Sequence, residues 1–341
     1  MHPPYPSAFH SLKVHNAMLE NIIETAIGGT GCTINEALDL IPLPEADLFA
    51  GATRIREAHF GNTVELCCII NAKSGKCDMD CRFCSQSGHN STDIEVYPFM
   101  DARTLETRIR DEIKEGDRKC GVVTSGGRLS PDELTTLAET VGRIGRGAGT
   151  PVCGSLGRLS SEDLALLKQS GLTRFHHNLE ASEGFYPEIC STQDWASRLE
   201  TVKAAQQVGL KVCSGGLFGL GESWDDRIDL ALTLRDLEVD SVPINFLYAH
   251  PGTPMKAQQP LSAEEALRII ALYRFLLPTA TLRICGGRAH ILGGRQPDLF
   301  AAGANGLMTG NYLTVAGSQY EADLDMISSL GLQPAPASHS N

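Results

Sequence analysis

From about Thr63 onward, short apolar, β-rich runs alternate with longer amphipathic segments. The runs are Val64–Asn71, Lys119–Thr124, Pro151–Leu156, Leu172–Leu179, Leu210–Leu217, Ser241–Leu247, Thr281–Cys285 and Asn305–Thr309. Helical patterns separate them at Thr104–Glu115, Pro131–Ile144, Ser161–Gln169, Asp194–Val208, Trp224–Leu237 and Ala263–Leu277. A short piece near Asp298 and Glu321–Leu330 complete the series. Ser130-Pro131 puts a capping serine before proline at the first helical position. Ser160 with Asp163, and Ser262 with Glu265, resemble capping boxes. Eight strands alternating with helices predict an α/β fold, a (β/α)8 TIM-type barrel, with a doubly wound sheet as the other architecture. Ahead of the barrel, Asn16–Ala26 and Ala46–His59 have helical spacing, and Pro42 and Pro44 punctuate the stretch between them. The expected organisation is a helical N-terminal extension over residues 1–60, the barrel over 61–332 and a frayed, flexible tail over 333–341.

Composition narrows the function classes. At 42% hydrophobic and 21% charged, the 341 residues are those of a globular protein rather than a disordered one. No run approaches the ~18 apolar residues of a membrane span. The first 20 residues lack a basic stretch followed by an apolar core, so a cytoplasmic location is expected. With 29 basic against 41 acidic residues, the net charge of −12 argues against sequence-independent nucleic-acid binding. The 11 cysteines, an odd number without an export signal, point to metal, cofactor or catalytic use rather than a disulfide framework.

Cys77-x-x-x-Cys81-x-x-Cys84 follows the first strand. Three thiolates at this spacing can converge on three irons of a cubane cluster, leaving the fourth iron open to a small molecule. A zinc site or buried thiols are the alternatives. Zinc usually takes four ligands in pairs, and Asp78, Asp80 and Arg82 make the loop too polar for idle core cysteines. Spacing and position resemble the radical S-adenosylmethionine superfamily, and Phe83 fits the aromatic usually found before the last cysteine. That resemblance implies a [4Fe-4S] cluster whose open iron is chelated by S-adenosylmethionine. One electron then breaks the S–C bond, and a 5′-deoxyadenosyl radical abstracts hydrogen from an unactivated C–H bond. A second set, Cys120, Cys153 and Cys213, lies on other strands, and Arg283 and Cys285 share a face of the seventh. These are either small buried hydrophobes or ligands meeting around a second cluster inside the barrel.

A closer resemblance rests on longer segments. They are Asn71-Ala-Lys-Ser-Gly75, Cys84-Ser-Gln-Ser87, Arg118-Lys-Cys120, Val152-Cys-Gly-Ser-Leu-Gly157, His177-Asn-Leu-Glu180, Lys211-Val-Cys-Ser-Gly-Gly216, Gly219-Leu-Gly-Glu222, Ser241-Val-Pro-Ile-Asn245 and Ala302-Gly-Ala-Asn305. From about Leu48 to Leu332 the chain resembles the biotin synthase family. The resemblance implies a homodimeric enzyme that inserts sulfur into dethiobiotin, taking it from an auxiliary iron–sulfur cluster inside the barrel. It also implies an electron donor such as flavodoxin or ferredoxin and service by the iron–sulfur assembly machinery. The auxiliary ligands it implies are Cys120, Cys153, Cys213 and, unusually for a protonated group, Arg283. It sets Asn178 and Glu180 where ribose and substrate bind, Arg198 on the methionine carboxylate, Asn245 on substrate, and Ser125 and Gly126 beside the methionine amino group. The chain departs from the family pattern at Glu180 for aspartate, His176 for asparagine, and Cys285 and Cys67 for serines. His176 is expected toward the substrate's ureido ring and His177 toward the opposite face. Cys285 and Cys67 open a second option for the auxiliary cluster, four irons instead of two. Cys32, Cys68 and Cys190 are expected to be packing residues. Two other functions stand beside this one: a related radical enzyme without sulfur insertion, similar to hydrogenase maturases or methylornithine synthase, and a non-catalytic iron–sulfur carrier.

Overall fold

The computed structural model describes residues 8–114, 118–148, 151–313, 317 and 319–336. Its strands are β1 (Thr63–Lys73), β2 (Lys119–Thr124), β3 (Val152–Ser155), β4 (Leu172–His176), β5 (Lys211–Cys213), β6 (Gly216–Phe218), β7 (Ser241–Phe246), β8 (Thr281–Ile284), β9 (Gly306–Met308) and β10 (Gln333–Pro334). All neighbours pair in parallel, in the order β1-β2-β3-β4-β5-β7-β8-β9, and β9 returns to β1 through Glu65 opposite Gly306. This closed sheet, with helices outside, is the expected TIM-type barrel.

Each strand sorts its residues by parity. Along β1, Val64, Leu66, Cys68, Ile70 and Ala72 are buried, while Glu65, Cys67 and Ile69 alternate with them. Two predicted strands end early for local reasons. The run Leu210–Leu217 is cut into β5 and β6 because Gly215 passes against β7. A side-chain carbon there would lie 2.0 Å from the Pro243 carbonyl oxygen. Beyond β4 the chain stays extended, its amides donating from His177 to Cys213 and from Glu180 to Gly215. It stops at Glu180, whose φ of +71° is left-handed.

The helices before the barrel are Ala8–Ile27, Ile34–Leu40 and Glu45–Phe60. The predicted Asn16–Ala26 is the later part of the first. Ile34–Leu40, too short to show helical periodicity, escapes sequence reading, although Thr33 and Glu36 form a complete capping box. The Ser160–Asp163 box forms as expected. The Ser262 box is half made: Ser262 accepts from the Glu265 amide, but the Glu265 carboxylate goes to Arg227 at 2.7 Å. The three helices lie against the helix Ala263–Leu276, which is buried over nearly its whole length. The tail expected to fray from residue 333 instead begins as β10, paired with Thr63 and Val64. Residues 337–341 lie outside the described residues. Among the described residues, no helix is long and apolar enough to cross a membrane.

Candidate active site

The three-cysteine loop leaves the C-terminal end of β1, and its backbone is tied to itself at close intervals. Cys77 donates to Gln86, Gly88 donates back to Cys77 at 2.7 Å, and the Asn90 amide holds the carbonyls of Cys81 and Cys84. A second set of bonds pins the loop to the segment after β4. The Asp80 carboxylate accepts from the amides of Ser191 and Thr192 and from both hydroxyls. Arg82 donates to the carbonyls of Ile189 and Glu188. These bonds hold the Asp80 carboxyl well below its usual range despite its desolvation. Burial pushes Cys84 up to about 11. The donor set is all thiol, as an iron–sulfur cluster with one open iron requires. Ser125 and Gly126 flank the loop: the Ser125 hydroxyl donates to Gly75 at 2.8 Å, and its amide donates to Lys73.

Inside the barrel lies a cavity of about 670 Å³. The loop reaches it through Phe83 and Ser85, and the strands line it with Cys67, Cys68, Cys153, Cys213, Cys285 and Arg283. Burial raises Cys67 and Cys153 to about 11 and Cys285 well above the usual thiol range. Each of these three also feels the charge of Cys213. Burial opposes ionisation of Cys213 as well, but a hydrogen bond and charge from His176, with Arg174 and Arg283, bring it down to about 7.

Cys120 does not join this set. Lys119, Gly121 and Val123 of β2 face the cavity, so Cys120 is turned to the outer side of the sheet. There it is fully buried opposite its register partner Cys68, whose thiol donates to the Lys119 carbonyl at 3.8 Å. The resemblance points to the right strand and the wrong face. Cys67, two residues from Glu65 and on the same face, stands in the cavity instead.

Arg283 faces the cavity as expected, but its guanidinium is engaged. It donates to the Glu65 carboxylate at 2.6 Å, and Lys119 reaches the same carboxylate at 2.9 Å. Burial alone would raise Glu65, yet Arg283 and Lys119 hold it at about 2. Against its desolvation, Arg283 is pushed above its ordinary value by the charge of Cys67 and then of Glu65. A guanidinium fixed in its protonated form has no lone pair for iron. Sequence reasoning missed Glu65, although a carboxylate inside an apolar strand run was the available signal.

The polar residues divide into free and committed groups. His176, Asn178, Glu180 and Asn245 all line the cavity. His177 turns the other way and stacks on Phe175 at 6.1 Å between centroids. The Asn245 amide accepts from Gly286 at 3.0 Å and donates to Gly216 at 3.2 Å, leaving one N–H and one lone pair for a ligand. Asn178 accepts from Gly215 and donates to Glu180. Arg198 is buried behind them, donating to the Asn178 carbonyl at 2.8 Å and the Tyr186 hydroxyl at 2.7 Å, with Glu180 at 3.8 Å.

A barrel with an open-iron cysteine loop at its C-terminal mouth defines a radical S-adenosylmethionine enzyme, and the family model "Radical SAM superfamily" matches residues 72–234. A second model, "Biotin and Thiamin Synthesis associated domain", matches residues 243–333. A biotin synthase of Desulfovibrio desulfuricans is 54% identical over 87% of this chain and 94% of its own. One of Trichlorobacter lovleyi is 48% identical over 92% and 96%. The chain belongs to the biotin synthase family. The solved structure of methylornithine synthase covers 93% of the chain with a TM-score of 0.80, and its 21% identity carries the fold alone.

Proposed function

We propose that the chain catalyses the closing step of biotin formation, inserting sulfur between two unactivated carbons of dethiobiotin. One observation supports this reading most: a single cavity meets the open-iron loop at Phe83 and Ser85 and is lined by five cysteines, Cys67, Cys68, Cys153, Cys213 and Cys285, of which only Cys68 pairs in register with Cys120. A radical enzyme that only abstracts hydrogen has no use for the second set, and a sulfur carrier has none for Arg198. When bound, the [4Fe-4S] cluster with S-adenosylmethionine supplies a carbon-centred radical, and the auxiliary cluster supplies sulfur.

The chain's own residues have these roles. Cys77, Cys81 and Cys84 hold the radical cluster. Arg198 offers a fork to the methionine carboxylate, beside Phe83, Asn178 and Glu180, and Ser125 and Gly126 flank the amino group. Asn245 and His176 orient the substrate's ureido ring with their remaining hydrogen-bonding capacity. Cys67, Cys153, Cys213 and Cys285 hold the auxiliary cluster, and Arg283 stays protonated beside it. Four thiolates favour four irons over two, and this revises the ligand set that resemblance alone implies. The apolar walls keep water from a reactive carbon radical. The protein works as a cytoplasmic homodimer fed by a flavodoxin- or ferredoxin-type donor and by the iron–sulfur assembly machinery, with residues 1–60 as an N-terminal extension of the barrel.

Anaerobic incubation with reductant, S-adenosylmethionine and dethiobiotin tests the activity. Biotin is expected; deoxyadenosine without biotin, or neither product, overturns the reading. Iron and sulfide counts with Mössbauer spectra of the Cys285→Ser protein test the four-iron assignment, which an unchanged two-iron signal refutes.

A further inference from the structure

Three cations, Lys119, Arg174 and Arg283, line the central cavity from β2, β4 and β8. Two of them stand in register beside cavity cysteines: Lys119 opposite Cys67 of β1, and Arg174 opposite Cys153 of β3. Adjacent strands lie about 4.8 Å apart, and these side chains share the inward face, so each thiol has a cation as its lateral neighbour. Arg283 repeats the pattern within one strand run, two residues before Cys285 and on the same face.

The counter-charge is smaller. Glu65 meets Arg283 at 2.6 Å and Lys119 at 2.9 Å, both through Oε2. Arg174 donates to the Val212 carbonyl at 3.2 Å and has Asp240 at 3.7 Å, but that carboxylate is 41% exposed. The other carboxylate on the cavity wall, Glu180, stands beyond the end of β4 with Arg198 at 3.8 Å. The side chains of Arg283, Lys119 and Arg174 are only 5%, 10% and 13% exposed, so water screens them little. The wall around the thiols therefore holds more positive than negative charge. Burying cations without counter-charge is costly. An anionic guest removes that cost, and a cluster held by thiolates is an anion.

We infer that Lys119 and Arg174, together with Arg283, are the counter-charge of the auxiliary cluster and raise its reduction potential. This rests on the reading that Cys67, Cys153, Cys213 and Cys285 hold that cluster. Reduction adds an electron to a centre that is already anionic, and fixed positive charge nearby favours the reduced form. Glu65 acts in the opposite sense, by offsetting Lys119 and Arg283. Cys77, Cys81 and Cys84 are not on this wall, so the radical cluster feels these charges less.

The test is a redox titration of the reconstituted full chain, followed by electron paramagnetic resonance. Cys77→Ala, which removes a ligand of the radical cluster, isolates the auxiliary signal. If no second cluster is found, the underlying reading fails and the inference with it. With the second cluster present, Lys119→Met and Arg174→Met should each lower its reduced-to-oxidised ratio at a fixed potential about tenfold, equal to about 59 mV for one electron. Lys119→Arg, which keeps the charge, should restore most of that change. Glu65→Gln should move the ratio the other way, a reversal that general loosening of the barrel does not produce. Unchanged ratios in both methionine variants overturn the inference. So does a shift of the same sign in Glu65→Gln, or an equal shift of the radical cluster. If a methionine variant loses auxiliary iron, Glu65→Gln, which keeps every cation, carries the test: a ratio unchanged or lowered there overturns the inference.

Discussion

Replacing Cys67 and Cys120 separately by alanine tests the assignment of strand faces. Cys67 lines the central cavity, whereas Cys120 is fully buried on the other side of the sheet against Cys68. Cys120→Ala removes one sulfur from a closed site, a loss comparable to deleting a single methyl group, about 1 kcal/mol. In a chain of this length that lowers the melting temperature by roughly 2 °C. Its iron content should be unchanged, because no cavity thiol is lost. Cys67→Ala leaves three of the four assigned cavity thiols. Iron should then fall by roughly the auxiliary cluster's share, about four irons for a four-iron centre, while the radical cluster persists. Anaerobic reconstitution, iron and sulfide determination per chain and Mössbauer spectra read both variants. If Cys120→Ala loses auxiliary iron and Cys67→Ala keeps it, the facing of β1 and β2 described above is wrong, and the ligand set with it.

Glu65→Gln should destabilise the cluster-free protein at neutral pH by up to about 3 kcal/mol, the upper bound from moving a carboxylate from about 4.5 to about 2. The folded-state value is depressed, so this contribution is present above about pH 4.5. The gap from wild type should close as pH falls toward 2, and denaturant titrations that stay parallel across that range would refute it. Asp80→Asn should speed iron loss to a chelator by about tenfold, since a hydrogen bond to a charged group is worth roughly 1.5–3 kcal/mol; unchanged release would deny that Asp80 pins the loop. Arg198→Lys should weaken S-adenosylmethionine binding about tenfold or more by calorimetry, because a point charge replaces a fork. Equal affinity would remove Arg198 from the carboxylate.

The sequence by itself determined the barrel, because strand-length apolar runs alternating with helical patterns have few other ways to bury both kinds of element. It also carried the cysteine loop as an expectation, because Cys77, Cys81 and Cys84 are close along the chain at a spacing that resembles the radical superfamily's. Of the residues expected around an auxiliary cluster, Cys153, Cys213, Cys285 and Arg283 line the cavity; Cys120, expected with them, does not, and Cys67, expected only as an extra ligand, does. A one-residue slip in strand register turns every side chain to the other face, and no local signal says which of Cys67 and Cys68, or of Lys119, Cys120 and Gly121, looks inward. Only the closed sheet decided it, by setting Cys68 opposite Cys120, both buried in the core, and Cys67 beside Lys119 along the cavity. The same holds for Glu65 beneath Arg283 and for Cys190 against Asp80. Each pair is separated by more than a hundred residues, and only the closure of the barrel and the docking of its loops bring the partners into contact.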